Sequence, residues 1–132
     1  MSERRRYIRV TPEPERPIRV DINGENFLDI LYVSDISEGG IGFQVEHQFS
    51  GCAIERPVHF ILDLPPPVSA LISAEGSIRH VMDRAFGIEF GTLSREARHH
   101  IHDYIHYRLC RQSLLVRVAH SLHVPDALIH RM

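Results

Sequence analysis

From residue 18 to about residue 91, apolar residues recur at every second position. The runs are Ile18, Val20 and Ile22; Leu28 and Ile30; Val58, Phe60, Leu62 and Leu64; Ala70, Ile72, Ala74, Gly76 and Ile78; and Phe86, Ile88 and Phe90. A period of two belongs to strands that bury one face, so these positions are assigned to the inner side. Turn-forming residues punctuate the runs: Asn23-Gly24, Glu38-Gly39-Gly40, Ser50-Gly51, Pro65-Pro66-Pro67 and Asp83-Arg84. Six strands are predicted, at 18–23, 27–36, 40–46, 57–64, 69–82 and 85–91. No helical period interrupts them, which disfavours parallel βαβ units. An antiparallel sheet closed into a barrel removes the exposed edges.

The pattern changes at both ends. Pro12-Glu13-Pro14-Glu15-Arg16-Pro17 can continue neither a helix nor a central strand, and reads as a linker into the fold. At Ser94, a helix-capping residue, the period becomes helical through Ala97, Ile101, Tyr104, Ile105, Leu109, Val116, Ala119 and Leu122, until Pro125 stops it. A helix from 95 to about 123 is about 43 Å long, longer than the barrel beneath it, so part of it projects or finds a partner. The fold class is therefore all-β with a C-terminal helix: a flexible arm over 1–17, a barrel over 18–93, one long α-helix over 94–124 and a tail over 125–132. Leu114, Leu115, Val118 and Leu122 offer a seam for a homodimer or a regulated partner.

Composition narrows the function classes. The 132 residues are 43% hydrophobic and 24% charged, with a formal net charge of -2, ordinary for one globular domain. That charge argues against a nucleic-acid polymer as partner, because such binders carry a broad basic face. The basic charge is local: Arg4, Arg5, Arg6 and Arg9 fall within nine residues. A small, strongly anionic ligand fits it better. No apolar segment follows the charged start and no run reaches the roughly 18 residues of a membrane span, so membrane insertion is not expected and a cytoplasmic location is. Cys52 and Cys110 lack a metal or disulfide spacing and read as free core residues.

Two segments carry chemistry: Arg4-Arg5-Arg6-Tyr7-Ile8-Arg9, and Asp35-Ile36-Ser37-Glu38-Gly39-Gly40. Taken singly, they are a solvated basic tail and a turn with an Asx or serine hydrogen bond. Together they suit a cyclic dinucleotide of guanine. An arginine fork pairs with phosphate or with guanine O6 and N7, and its plane stacks on a base. Asp35 can accept from the guanine N–H groups, Ser37 can donate to phosphate, and Gly40 removes a side chain that would hold the ligand off the backbone.

The pair resembles the RRxxxR and (D/N)xSxxG motifs of PilZ domains, in order and in separation. Gly87-Ile88-Glu89-Phe90 followed by Leu93-Ser94 resembles that family's last strand entering its C-terminal helix. The resemblance implies a six-stranded antiparallel barrel with a C-terminal helix, no catalysis, and cyclic di-GMP as ligand. It implies binding by Arg4, Arg5, Arg9, Asp35, Ser37 and Gly40, with Arg4 favouring a stacked pair of ligands. The expected function is a receptor whose arm closes on the messenger and signals to an unidentified protein partner in motility, adhesion or exopolysaccharide control. The alternative is a PilZ-like adaptor that binds no nucleotide and acts through protein contacts.

Two other chemistries have partial support in the residue pattern. His99, His102 and His106 share a helical spacing compatible with a transition metal. They lack a completing ligand apart from Asp103, which is expected to point elsewhere, and no metal is assigned. Ser37, Asp35 and the histidines sit in no nucleophile elbow or metal-protease pattern, so no enzyme is expected.

Overall fold

The computed structural model describes residues 7–24, 27–45 and 56–121. Strands β1 (Arg19–Gly24), β2 (Phe27–Ile36), β3 (Gly40–Gln44), β4 (Pro57–Leu64), β5 (Ala70–Met82) and β6 (Ala85–Phe90) precede helix α1 (Arg95–Ser121). The strands form a closed barrel in the order β1-β2-β3-β6-β5-β4, every pairing antiparallel. All six fall within two residues of the predicted spans.

Alternation delivers the core where the sequence placed it on β4, whose Val58, Phe60, Leu62 and Leu64 are all buried. Phe43 stacks on Phe86 with ring centroids 5.0 Å apart, and Phe60 on Phe90 at 5.5 Å. The first is a cross-strand pair of the adjacent β3 and β6, and the second joins β4 to β6, which are not neighbours in the barrel.

On β2 the inner face was assigned wrongly. Leu28 and Ile30 are 75% and 50% exposed. The register with β1 sets opposite residue Val20, which is buried, Leu31, so Leu31 and Val33 point inward and their neighbours outward. A register shift between Val33 and Asp35 then changes the parity, and Ile36 is again buried. Such a bulge re-aims the residues beside it, and here these include Asp35 and Ser37. A second shift, between Arg79 and Met82 on β5, contains His80 in the left-handed region at φ 56°, a conformation that histidine adopts more readily than most residues.

Ser94 caps α1 as expected, its hydroxyl oxygen accepting from the Ala97 N–H at 3.0 Å. Ala97, Ile101, Tyr104 and Ile105 are buried against the barrel. Burial of the phenol pushes the Tyr104 pKa up to about 12. Cys110 corrects the sequence reading: it is exposed, because the buried stripe runs through Leu109 and the next residue turns about 100° away. Cys52, Val116, Ala119 and the proposed seam of Leu114, Leu115, Val118 and Leu122 lie outside the residues or side chains described, as does Pro125.

Candidate functional site

The predicted arm is held at Val10. Val10 is buried, and its N–H and C=O exchange two 2.9 Å hydrogen bonds with Ile36. This sets Arg9 directly beside the end of β2, where its guanidinium pairs with the Asp35 carboxylate. Both side chains are more than a third exposed, 37% and 40%, so the pair contributes little to stability, about 0.2–1 kcal/mol. Asp35 in turn lies close under Gly42, where a Cβ would come within 2.9 Å of its carboxylate.

Beyond Ile36 the chain turns sharply. The Ser37 N–H donates to the Gly40 carbonyl at 2.9 Å, and the Ser37 hydroxyl oxygen accepts from the Gly39 N–H at 3.1 Å. That leaves the hydroxyl hydrogen to donate. The Gly39 carbonyl accepts from the Phe90 N–H at 2.9 Å and ties the turn to β6. Gly40 has a structural reason that the sequence reading did not foresee: a Cβ there would stand 2.4 Å from the Ile88 carbonyl oxygen. The close approach is to the barrel wall. At Gly39 a Cβ would meet the Tyr7 ring at 2.7 Å, so that ring lies against the turn.

These residues surround a pocket of about 690 Å³ at the barrel end. Arg9, Ser37 and Gly40 line it; Asp35 stands beside it, joined to Arg9. Arg4 and Arg5 lie outside the described residues. The sequence reading missed Tyr7, Glu38, Arg79, His80, Glu89 and Arg98, which also line the pocket. Arg79 pairs with Glu89 at 2.9 Å. Arg79 and His80 reach the site through the β5 bulge, and Arg98 through the docking of the first turn of α1. A basic dipeptide interrupting a period-two strand was the only local signal.

Glu38 connects the turn to α1 by accepting from His102 Nδ1 at 3.0 Å. This contact raises the His102 pKa above its ordinary 6.5, the hydrogen bond contributing most and the carboxylate charge next. The pair therefore stabilises the fold fully below pH 6.5, and its contribution is lost as pH rises through the raised value. NMR titration should find His102 titrating above 6.5, and Glu38→Gln should return it to the ordinary range; an unmoved midpoint would refute the contact.

The other two histidines of that spacing have separate partners. His99 lies 3.2 Å from Asp103, which corrects the expectation that Asp103 points elsewhere, and His106 lies 3.5 Å from the Cys110 sulfur. Among the described residues no three histidine, cysteine or acidic side chains gather in a metal-binding group. No helix among them is long and apolar enough to cross a membrane.

The model of the PilZ domain matches residues 3–107. No curated protein sequence matches the chain. Among solved structures, the inhibitor of motility MotI/DgrA from Bacillus subtilis is similar with a TM-score of 0.65 and 20% identity, over 83% of this chain and 51% of that one. The K. pneumonia MrkH complex with c-di-GMP gives 0.65 and 15% identity, over 83% and 54%. The PilZ domain of YcgR from Escherichia coli, with c-di-GMP, gives 0.60 and 16% identity, over 83% and 94%. This chain thus spans about half the length of the first two and nearly all of the third. At these identities the likeness establishes a shared barrel and helix.

Proposed function

We propose, since this chain belongs to the PilZ domain family, that it is a receptor for cyclic di-GMP and performs no chemistry on it. What carries the reading is that Arg9, Ser37 and Gly40, from two segments nearly thirty residues apart, line one pocket together with Arg79, His80 and Arg98. Three guanidinium groups in one cleft suit two phosphates and the O6 and N7 acceptors of guanine. The carboxylates of Glu38 and Glu89 are acceptors for guanine N1–H and N2–H₂. That two of the similar structures hold c-di-GMP supports the same ligand here.

In this reading Arg9 exchanges part of its pairing with Asp35 for the ligand, and Arg4 and Arg5 close over it from the arm. Ordering of the arm then alters the surface offered to a protein partner in the cytoplasm, with motility, adhesion or exopolysaccharide control as the expected output. Titration calorimetry with cyclic di-GMP, cyclic di-AMP and GTP tests the assignment. Saturable heat with cyclic di-GMP alone is expected, and the heat also counts the ligands bound. Absence of binding to all three would leave the adaptor reading in its place.

A further inference from the structure

Glu13 sits in the proline-flanked stretch that the sequence marks as a linker, yet it is only 6% exposed. A carboxylate is costly to bury without partners. Among the described residues its side-chain partners all come from α1: the Tyr107 hydroxyl donates to Oε1 at 3.1 Å and to Oε2 at 3.2 Å, Arg111 Nε lies 3.6 Å away and Arg108 Nη1 4.0 Å. Arg108 Nε also donates to the Thr11 carbonyl at 2.7 Å. The Glu13 and Arg108 side chains are 8% and 13% exposed, so this is no solvated surface pair. Removing one member would leave charge buried.

Residues 9–13 are therefore clasped from two sides. Arg9 and Val10 are bonded to the end of β2, and Thr11 and Glu13 to α1. Four residues of chain reach at most about 14 Å, so holding Glu13 restricts where Arg9 can stand. The opposite wall is tied to the same helix through Glu38 and His102. None of the three residues that hold Glu13 belongs to either arginine or Asp-Ser-Gly motif.

We propose that Glu13 is the positioning residue of the ligand-binding arm: clasped by Tyr107, Arg108 and Arg111, it sets Arg9 at the pocket and couples pocket occupancy to α1. The inference rests on the reading of the pocket as a nucleotide site. When the arm is docked only part of the time, apparent affinity falls in proportion to the docked fraction. Linkage makes the effect reciprocal, so a ligand that fixes the arm also tightens its hold on α1.

Hydrogen exchange without ligand and calorimetry with cyclic di-GMP, both on the full chain, separate the roles. Glu13→Ala should speed exchange at the Val10 amide while leaving the β4 and β5 amides unchanged, and should weaken binding roughly 10-fold or more. Tyr107→Phe should do the same to a smaller degree, and carries the comparison if Glu13→Ala does not fold. Glu13→Gln, which keeps an acceptor for the Tyr107 hydroxyl, should recover part of the affinity. Ligand should slow exchange across Ile101–Arg111 in the parent protein and fail to do so in Glu13→Ala. Unchanged Val10 exchange in both Glu13→Ala and Tyr107→Phe overturns the proposal, as does faster exchange with undiminished affinity. If the parent protein binds no cyclic di-GMP, the nucleotide reading falls, and the clasp stands or falls on the Val10 exchange alone.

Discussion

Replacing Arg9 with alanine is expected to weaken cyclic di-GMP binding by about 100-fold or more while leaving the barrel folded. The two halves of this expectation have different physical origins. Among the described residues Arg9 makes one ion pair, with Asp35, and both partners are more than a third exposed, so its loss costs at most about 1 kcal/mol. In the proposed complex, against a ligand with two phosphates, the same guanidinium would make charge-assisted hydrogen bonds in a partly enclosed pocket, and truncating such a group costs about 2–5 kcal/mol. At about 1.4 kcal/mol per tenfold, that spans the stated loss. Arg9→Lys separates charge from shape: an ammonium keeps the charge and loses the planar fork, so it should recover only part of the affinity. Calorimetry with thermal unfolding on the same samples checks both halves. Parent-like affinity in Arg9→Ala would remove Arg9 from the site.

The second large effect concerns stability. Gly40→Ala is expected to destabilise the barrel by about 1–3 kcal/mol, the usual range for forcing extra atoms into a packed region. The added carbon would stand 2.4 Å from the Ile88 carbonyl oxygen and 3.4 Å from Glu89 Cα, all backbone of β6 in register with Gly40. Backbone in a closed barrel has no rotamer by which to yield. For a domain of this size the melting temperature should drop roughly 4 °C per kcal/mol. Gly39→Ala provides the contrast, since its new methyl would meet the Tyr7 ring, a side chain able to swing aside. It should leave the melting temperature close to the parent value and act on the pocket, which Tyr7 lines. Equal melting temperatures for Gly40→Ala and the parent would mean that β6 shifts to admit the methyl, contrary to this account.

The contrast between these glycines shows how motif and fold overlap. Gly40 belongs to the segment that resembles a ligand-binding motif, yet its lack of a side chain is already required by the strand beside it. A loss of binding in Gly40→Ala therefore reports on the wall of the pocket as well as on contact with the ligand.

Strand existence and order along the chain were legible because side-chain alternation is a local property: Val58 to Leu64 and Phe86 with Ile88 read correctly from spacing alone. The Ser94 cap and the stripe from Ala97 to Ile105 were legible for the same reason. β2 was not, because apolar residues occupy both of its faces. Only the pairing of Leu31 with Val20 decides that Leu28 and Ile30 face outward. The candidate site divides in the same way. Arg9, Ser37 and Gly40 could be named from motif spacing, whereas Arg79, His80 and Arg98 arrive from a bulge and a docked helix at least 39 residues away along the chain. Glu13, in a stretch whose prolines announce only a linker, is buried by residues 94 or more positions later. By itself the sequence determined the six strands, the helix start and two of the pocket's edges, since period, turn residues and caps act over a few residues. The tertiary structure alone decided strand parity, the remaining wall of the pocket and the clasp between arm and helix, because those depend on which distant segments the closed barrel brings into contact.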